Sequence, residues 1–301
     1  MDTERRGTYG NPHPPPRPLP HPDAVRERRG RLCRRITAGG ITVDDILCAE
    51  DRTGFAGPGT ASAYTVVLTR SGGYVRRIAG EEFFADATGG YLTRPGDVHQ
   101  VAHPAGPGDR SSAFRVGAAL FADRFDGPPR SRRLTVSGAT DVRHRELLAA
   151  ARRGTDAFEL ADRLHRLLDG VAADAGHWRA DTGARPATAR AHARLVRDTC
   201  ALLAGGPHAL RLPLEELARG VGASPHHLSR VFRAVTGSSL TRYRNELRVR
   251  AVLHRLEEGE ESLRTLAHAY GFADQAHLTR LCRSRTGQPP GALRVLLRDR
   301  A

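Results

Sequence analysis

Two short segments near the C-terminal end of the chain carry polar side chains that could hydrogen-bond to nucleic acid. Arginine offers a planar fork of donors that fits a phosphate or the edge of a guanine, and glutamine can pair with the edge of an adenine. Apolar residues spaced three and four apart predict that each segment is a helix with one buried face. The polar side chains then share the opposite face, which comprises His226, Ser229, Arg230 and Arg233 in the first segment and Gln275, Ala276, Thr279, Arg280 and Arg283 in the second.

The two segments belong to a unit that occurs twice. Residues 217–222 read LARGVG and return as LAHAYG at 266–271, while residues 228–233 read LSRVFR and return as LTRLCR at 278–283. In both copies a glycine-containing turn separates a short helix from a second helix, which ends at a Thr-Gly pair. A helix, a tight turn and a second helix form the unit that enters the major groove of DNA. Two such units predict a chain that reads two successive grooves.

Local signals predict where the helices of each unit begin. Ser224 followed by Pro225 predicts a helix start, because serine caps a helix and proline suits its first position. Asp274 is the corresponding cap in the second unit. A long helix, about residues 240–258, joins the units and carries many arginines outside its apolar positions. The acidic cluster that follows is predicted to form a solvated turn and consists of Glu257, Glu258, Glu260 and Glu261.

Positive charge is concentrated in the repeated part of the chain. The 301 residues carry a formal net charge of +14, and all 47 basic residues are arginine. Residues 185–301 hold 20 arginines and 10 acidic residues, a net charge of +10, whereas residues 1–184 hold 27 and 23, a net charge of +4. A basic segment attracts polyanions, of which nucleic acid is the usual one. From charge alone, a solvated arginine-rich surface remains the alternative interpretation.

Residues 190–296 resemble the C-terminal DNA-binding domain of the AraC/XylS family of bacterial transcription regulators. The matching positions are Leu217-Ala218, Gly222, 224–233, Thr236-Gly237, Tyr243 to Leu247 with Arg248, Gly271 to Gln275, Arg280, Gly287, Pro290 and Arg294. The resemblance implies a seven-helix domain whose two recognition helices enter adjacent major-groove faces about 34 Å apart. The departures from the family pattern are Ala276, Leu278, Cys282 and Leu293. Since alanine cannot hydrogen-bond to a base edge, readout by the second unit is expected to rest on the neighbours of Ala276.

The resemblance also implies a role for the exposed side chains. Base edges would be read by His226, Ser229 and Arg230 in one half-site, and by Gln275, Thr279 and Arg280 in the other. The phosphate backbone would be contacted by His227, Arg233 and Arg283. For the two histidines, a phosphate contact or a plain surface position fits as well as base readout. The implied partner is double-stranded promoter or operator DNA, together with RNA polymerase if the protein is an activator.

Residues 31–136 have the sequence pattern of a β-domain. Short apolar runs at 64–68, 98–101 and 113–116 alternate with turns that contain glycine or proline, which predicts a sandwich or small barrel. Family members of this length place a cupin-like jelly roll here, and residues 91–104 resemble its strand–turn–strand segment. A small-molecule effector could bind inside, and a packed barrel without a ligand is the alternative. The candidate effector pocket consists of Tyr64, Tyr91, Arg94, His99 and Arg115.

The sequence carries no signal for catalysis, for a metal or for another cofactor. The four cysteines form no C-x-x-C pair, so neither a zinc site built on them nor a disulfide framework is expected. His99 and His103 would point the same way from one strand but lie about 13 Å apart along it. They would need a bend in the chain to share an ion. No Ser/His/Asp triad, phosphate-binding loop or catalytic pair of carboxylates stands out.

The remaining segments are predicted to flank and connect these two parts. Residues 1–30 are rich in proline and arginine, which predicts a disordered tail. Residues 137–186 are predicted to be linking helices, whose apolar stripe packs on its own domain or forms a homodimer, and residues 187–301 the DNA-binding domain. No apolar run is long enough to span a membrane. A cytoplasmic, nucleoid-associated protein without membrane contact is therefore expected.

The predicted fold is multidomain: an all-β, cupin-like jelly roll followed by an all-α seven-helix domain with two helix-turn-helix units. The function that fits these features is that of a sequence-specific transcription regulator, and not of an enzyme. A small-molecule effector bound in the first domain is expected to modulate its activity. Two alternatives stay open. One is a cupin-type enzyme with a basic tail, which bound iron or manganese would indicate. The other is a sequence-independent nucleic-acid binder, whose affinity would fall steeply with salt.

Overall fold

The computed structural model describes residues 31–106, 108–125, 132–175, 185–260 and 262–298, together with the backbone of Arg26–Arg28. The tail predicted at 1–30 lies outside the described residues, apart from that short strand, which pairs with its neighbour at Arg31–Ala38. Within the described part, strands dominate up to residue 135 and every element after it is helical.

Eleven strands in the described part form two sheets. They are β1 Arg26–Arg28, β2 Arg31–Ala38, β3 Ile41–Cys48, β4 Gly59–Thr60, β5 Tyr64–Ser71, β6 Gly73–Ile78, β7 Glu81–Asp86, β8 Gly89–Thr93, β9 Val98–Ala102, β10 Asp109–Val116 and β11 Arg133–Thr135. The larger sheet has the order β1-β2-β3-β10-β5-β8-β11, and the smaller has the order β4-β9-β6-β7. The strand pairs in both sheets are antiparallel.

The two sheets share a core, which makes the β-domain a sandwich. Along β5, Val67 packs in this core with Tyr74 of the smaller sheet, while Val66 and Leu68 pack in a second core on the other face. This alternation is the two-residue period of a strand whose side chains point to opposite faces of its sheet. The predicted β-fold of the N-terminal part is confirmed, with one helix inside it at Ala118–Phe125.

Ten α-helices complete the described part, with a short 3-10 turn at Ala209–Arg211. They are α1 Ala118–Phe125, α2 Gly138–Arg152, α3 Ala157–Ala175, α4 Pro186–Leu203, α5 Leu214–Gly220, α6 Pro225–Thr236, α7 Leu240–Glu257, α8 Leu263–Ala269, α9 Gln275–Thr286 and α10 Pro290–Leu297. Helices α1, α2 and α3 cover the outer face of the larger sheet. Helices α4 to α10 are the predicted seven-helix domain with its two helix-turn-helix units, α5–α6 and α8–α9.

The apolar stripe of α3 is buried within this chain. Leu164, Leu167, Leu168 and Val171 are 0% exposed and share a core with the outer face of the larger sheet. A stripe that is already covered is not available to a second copy of the chain. The prediction that it packs on its own domain is confirmed, and the alternative that it forms a homodimer is wrong for these residues.

Charged side chains are buried where the β-domain and α2 meet α7. Arg250 of α7 donates from Nε to the carbonyl oxygen of Ala87 (3.1 Å) and from Nη2 to that of Val136 (2.8 Å). Glu257 of the same helix pairs with Arg145 of α2, with Oε2 and Nη1 2.6 Å apart. The prediction of a solvated acidic turn is therefore wrong for Glu257, which is buried against a cation from the other part of the chain.

His144 of α2 lies beside this buried cluster. Its ring packs edge-on against Phe114, with the ring centroids 5.4 Å apart, and its Nε2 has no hydrogen-bond partner among the described residues. Burial lowers the pKa of His144 well below the ordinary value of 6.5, and the nearby guanidinium groups of Arg70 and Arg145 lower it further. The imidazole is therefore neutral in the folded protein at neutral pH.

We expect the protein to lose stability as the pH falls below about 6.5, because the unfolded chain then takes up a proton at His144 that the folded chain does not. The loss approaches about 1.4 kcal/mol per pH unit. Urea unfolding on both sides of this pH measures the loss. His144→Gln should flatten the pH dependence, whereas His268→Gln, at an exposed position of α8, should preserve it. An unchanged slope in His144→Gln would contradict the assignment.

Candidate nucleic-acid interface and effector cavity

The second helix of the first unit is α6, and local contacts define both of its ends. Ser224 Oγ accepts a hydrogen bond from the backbone N–H of His227 at 3.2 Å, which is the predicted N-cap. Gly237 ends the helix with a φ of 70°, a left-handed conformation that glycine adopts without strain. Leu228 and Phe232 are 0% exposed. The predicted inner face of α6 is therefore the buried one.

The second unit reproduces these contacts in α9. Asp274 caps the helix by accepting a hydrogen bond from the backbone N–H of His277 at 2.6 Å. The turn between the two helices is also the same in both copies. The N–H of Ala223 donates to the carbonyl oxygen of Ala218 at 2.9 Å in the first unit, and the N–H of Phe272 does so to that of Ala267 at 2.9 Å in the second. The repeat in sequence is thus a repeat in structure.

The outward face of α6 is open to solvent. His226, Arg230 and Arg233 are exposed, while His227 and Ser229 are half-buried. The Nη2 of Arg230 lies 3.2 Å from the Nδ1 of His227, one helical turn away. Because a guanidinium can only donate, this contact directs the arginine along the helix face without neutralising its charge.

The outward face of α9 has the same character. Gln275, Arg280 and Arg283 are exposed, and Thr279 is half-buried. The hydroxyl of Thr279 donates to the carbonyl oxygen of Gln275 at 2.9 Å. Its only hydrogen is used within the helix, so Thr279 meets a ligand as an acceptor. Each of the six predicted base-reading residues therefore lies on the outward side of its helix.

Other arginines of the helical domain are occupied by internal contacts. Arg244 and Arg248 of α7 donate to the carbonyl oxygens of Leu212 and Leu210. Arg285 pairs with Glu246 at 3.2 Å. Within the part of the chain that the structure describes, four arginines on the outward faces have no carboxylate partner, namely Arg230, Arg233, Arg280 and Arg283. Positive charge is thus left available along the two second helices.

A cavity of about 280 Å³ lies between the two sheets of the β-domain. Three of the five predicted pocket residues line it: Tyr91, His99 and Arg115. Its wall also carries Arg31 and Arg76, and the Arg76 guanidinium lies 5.2 Å from the centre of the Tyr91 ring. Burial lowers the pKa of His99, and the charge of Arg76 lowers it further. The lining therefore combines aromatic surface with several cations.

The other two predicted pocket residues, Tyr64 and Arg94, do not line this cavity. Tyr64 has the same strand parity as Val66 and packs against Phe121 of α1, with ring centroids 4.7 Å apart. The guanidinium of Arg94 lies 5.7 Å from the centre of the same phenylalanine ring. Both side chains lie on the helix-covered side of the larger sheet. The list of polar strand residues could not tell the two faces apart.

The cavity wall also holds a cluster that the sequence analysis missed. Cys48, His103 and Asp109 are buried together, with Cys48 Sγ 3.6 Å and Asp109 Oδ1 3.1 Å from the Nε2 of His103. Burial acts to lower the pKa of His103, but the contacts with Asp109 and Cys48 outweigh it and raise that pKa to about 9. The pairing of Cys48 with Asp109 across β3 and β10 brings two of these residues together. That register cannot be read from the spacing of the residues in the sequence.

No helix among the described residues is both long enough and apolar enough to cross a membrane.

Residues 217–295 match the model of a helix-turn-helix domain family. The multiple antibiotic resistance protein MarA of Salmonella typhimurium is 34% identical over 84 residues, which are 28% of this chain and 66% of MarA, just under two thirds of its length. The DNA-binding domain of AdpA, solved in complex with a target DNA, is 26% identical, with 33% of this chain and 90% of that chain covered and a TM-score of 0.30. ToxT from Vibrio cholerae O395 is 9% identical, with 86% and 98% covered and a TM-score of 0.34.

Proposed function

We propose that the protein is a sequence-specific DNA-binding transcription regulator with a C-terminal domain of the AraC/XylS type, which the helix-turn-helix match over residues 217–295 and the similarity to MarA support. The observation that carries the proposal is the pair of matching units with solvated outer faces. In each unit a side-chain oxygen caps the second helix, and the same backbone hydrogen bond closes the turn. The apolar face of the second helix is buried in both. Two equivalent helices held by α7 suit two successive turns of the major groove.

We infer a division of work among the exposed side chains. Arg230 and Arg280 read guanine edges through paired hydrogen bonds, and Gln275 reads an adenine edge. His226, Ser229 and Thr279 complete the base contacts. Arg233 and Arg283 lie one turn further along each helix and bind phosphates, as does His227 at the start of α6. The lack of carboxylate partners for these arginines among the described residues supports this division.

Replacing Arg230 or Arg280 by alanine is expected to weaken binding to the operator while the fold is retained. Loss of one bidentate contact costs about 1–3 kcal/mol, or about 5- to 150-fold in affinity. Titration of labelled DNA from upstream of the protein's own gene, with unrelated competitor DNA present, measures this loss. Arg166→Ala on α3 is the matched control, because the Arg166 side chain is exposed, pairs with Asp162 of the same helix and belongs to neither helix-turn-helix unit.

The same titration separates base readout from phosphate contact. Arg233→Ala should weaken binding to operator DNA and to unrelated DNA alike. It should also lower the slope of the logarithm of the binding constant against the logarithm of the salt concentration by about one. Operator affinities of Arg230→Ala and Arg280→Ala that equal those of Arg166→Ala would contradict the roles given to the two arginines. Binding that any DNA competes away equally would favour the alternative, a sequence-independent nucleic-acid binder.

We propose that the β-domain is the sensor of this regulator. Its cavity approaches the lower end of the range of small-molecule sites, about 300–1,000 Å³, and its cationic wall suits an anionic effector. Contact between the parts supports signalling, since α2 begins against α9: a Cβ at Gly138 would lie 2.0 Å from the carbonyl oxygen of Arg285. We assign the chain no catalytic activity. Its site of action is then promoter DNA in the cytoplasm.

We also propose the domain limits 31–136 for the sensor domain, 137–186 for the linking helices and 187–301 for the DNA-binding domain as part of this function. A homodimer and contact with RNA polymerase belong to the same proposal and would require surfaces other than the buried stripe of α3.

A further inference from the structure

Three side chains with metal-binding atoms converge inside the β-sandwich. Cys48 ends β3, His103 directly follows β9, and Asp109 begins β10. They are 3%, 2% and 4% exposed, and their ligand atoms Sγ, Nε2 and Oδ all lie within 4.8 Å of one another. A thiol, an imidazole and a carboxylate are each ordinary ligands of zinc.

The distances between these atoms fit one small ion. With Zn–S near 2.3 Å, Zn–N and Zn–O near 2.0–2.1 Å and tetrahedral angles, sulfur and nitrogen ligands lie about 3.6 Å apart, and nitrogen and oxygen ligands about 3.3 Å apart. The corresponding separations are 3.6 Å between Cys48 Sγ and His103 Nε2, and 3.1 Å between His103 Nε2 and Asp109 Oδ1. A cation could therefore enter with small side-chain adjustments.

The hydrogen bonding of the cluster leaves it incomplete. Although Oδ1 of Asp109 lies 3.1 Å from the imidazole nitrogen, it makes no aligned hydrogen bond within the described part of the chain. The carboxylate is thus held by an imidazole in poor geometry, and a cation at the centre of the cluster would displace the imidazole proton and engage the carboxylate directly. The other oxygen, Oδ2, accepts from the hydroxyl of Ser111 at 3.3 Å, the kind of supporting contact that orients a metal ligand.

Charge and access point the same way. A Cys48 thiolate and an Asp109 carboxylate together carry two negative charges, which a divalent ion balances together with Arg31, the arginine of the cavity wall that contacts Cys48. All three side chains line the cavity, so a fourth coordination position would open into it, as in zinc sites that have three protein ligands and one exchangeable ligand. A thiolate in the set favours zinc-like ions over magnesium or calcium, which prefer oxygen.

We propose that Cys48, His103 and Asp109 bind one divalent ion of the zinc class inside the β-sandwich, with an open coordination position facing the cavity. The site goes beyond the proposed DNA-binding function and does not depend on it. It joins residues that are 55 and 6 positions apart in the chain, through the pairing of β3 with β10 and the turn after β9.

The test uses the full chain without an affinity tag, stripped of metal by a chelator. Zinc is titrated in competition with a chromophoric chelator, and we expect one ion per chain, with an affinity that falls at least about tenfold in Cys48→Ser and in Asp109→Asn. Cobalt should give the absorption of a thiolate-bound tetrahedral ion, which Cys48→Ser abolishes. Cys33→Ser, at a half-buried cysteine on β2, is the matched control and should keep both signals.

Thermal unfolding of the unmodified chain gives a second measurement that needs no variant. Zinc should raise the melting temperature and magnesium should not, because an ion that binds only the folded state stabilises it. A zinc stoichiometry far below one ion per chain would overturn the proposal. A zinc affinity that Cys48→Ser and Asp109→Asn leave unchanged would do the same. So would a cobalt spectrum without thiolate absorption. None of these measurements involves DNA, so their outcome is independent of the outcome of the operator titration.

Discussion

Phe232→Ala is expected to lower the free energy of unfolding of the helical domain by about 3–5 kcal/mol. Phe232 is 0% exposed on the inner face of α6, and its ring packs against that of Tyr243 on α7, with centroids 5.1 Å apart. Truncation removes the apolar contact area of the ring and leaves a cavity that surrounding helices can fill only in part. Because α6 is the second helix of the first unit, the cavity lies directly beneath its DNA-facing side.

Urea unfolding of the full chain, followed by the far-ultraviolet circular dichroism of its helices, measures this change. Phe158→Ala is the matched control, since Phe158 on α3 is 86% exposed and loses the same atoms without leaving a cavity. Its effect should stay within about 0.5 kcal/mol. Equal unfolding midpoints for the two variants would show that α6 does not depend on the buried ring.

The two helix-turn-helix units could be predicted from the sequence because their signals are local. Caps such as Ser224 and Asp274 act within three residues of themselves, and the apolar spacing of each helix repeats every three or four residues. The duplicated pattern added an internal check, since an error in one copy would have broken the match. Helix caps and apolar spacing depend on residues close in sequence, so the packing of the domain changes them little.

The buried charges could not be predicted in this way. Arg250 and Glu257 are residue types that normally face solvent, and their partners lie more than 100 positions away in the chain. The cluster of Cys48, His103 and Asp109 depends on strand register in the same manner. Spacing in the sequence gives no account of contacts that form only when two distant segments pack together.

The five-residue effector pocket shows the same limit within one strand pattern. Tyr91 faces the smaller sheet, whereas Tyr64 faces α1. In a sheet covered on both faces, polar and aromatic types do not alternate in a way that identifies the inner side. The face of each strand is set by what packs on it, and here helices cover one face and a second sheet the other.

A buried network of four charged side chains joins α2 to α7, with as many cations as carboxylates. Arg145 is 0% exposed and donates to Asp141 at 2.8 Å, to Glu257 at 2.6 Å and to the carbonyl oxygen of Arg70 at 2.8 Å. Arg250 completes it, with Nη1 3.4 Å from Asp141 Oδ2. Two cations thus face two carboxylates. Removing one partner leaves a buried charge uncompensated, which is far more costly than losing the attraction itself.

We therefore expect Arg145→Ala to destabilise the protein by about 3–5 kcal/mol. Arg163→Ala is the matched control, because Arg163 pairs with Glu159 on the solvated side of α3 and should cost less than about 1 kcal/mol. The double variant Arg145→Met with Glu257→Gln tests the cause. If the uncompensated carboxylate dominates, the pair should cost less than the sum of its single changes, and strictly additive costs would contradict a coupled network.

The pH dependence of unfolding gives the same network an independent signature. Burial by itself raises the pKa of Glu257, but the charge of Arg145 outweighs it and holds that pKa far below the ordinary value of 4.5. A carboxyl whose pKa is depressed on folding stabilises the protein above its unfolded pKa and loses that contribution as the pH falls below it. The loss from Glu257 begins near pH 4.5, whereas the loss from His144 begins near pH 6.5. Glu257→Gln should remove the loss that begins near pH 4.5 and keep the onset near pH 6.5, which distinguishes the ion pair between α2 and α7 from the neutral histidine packed beside it.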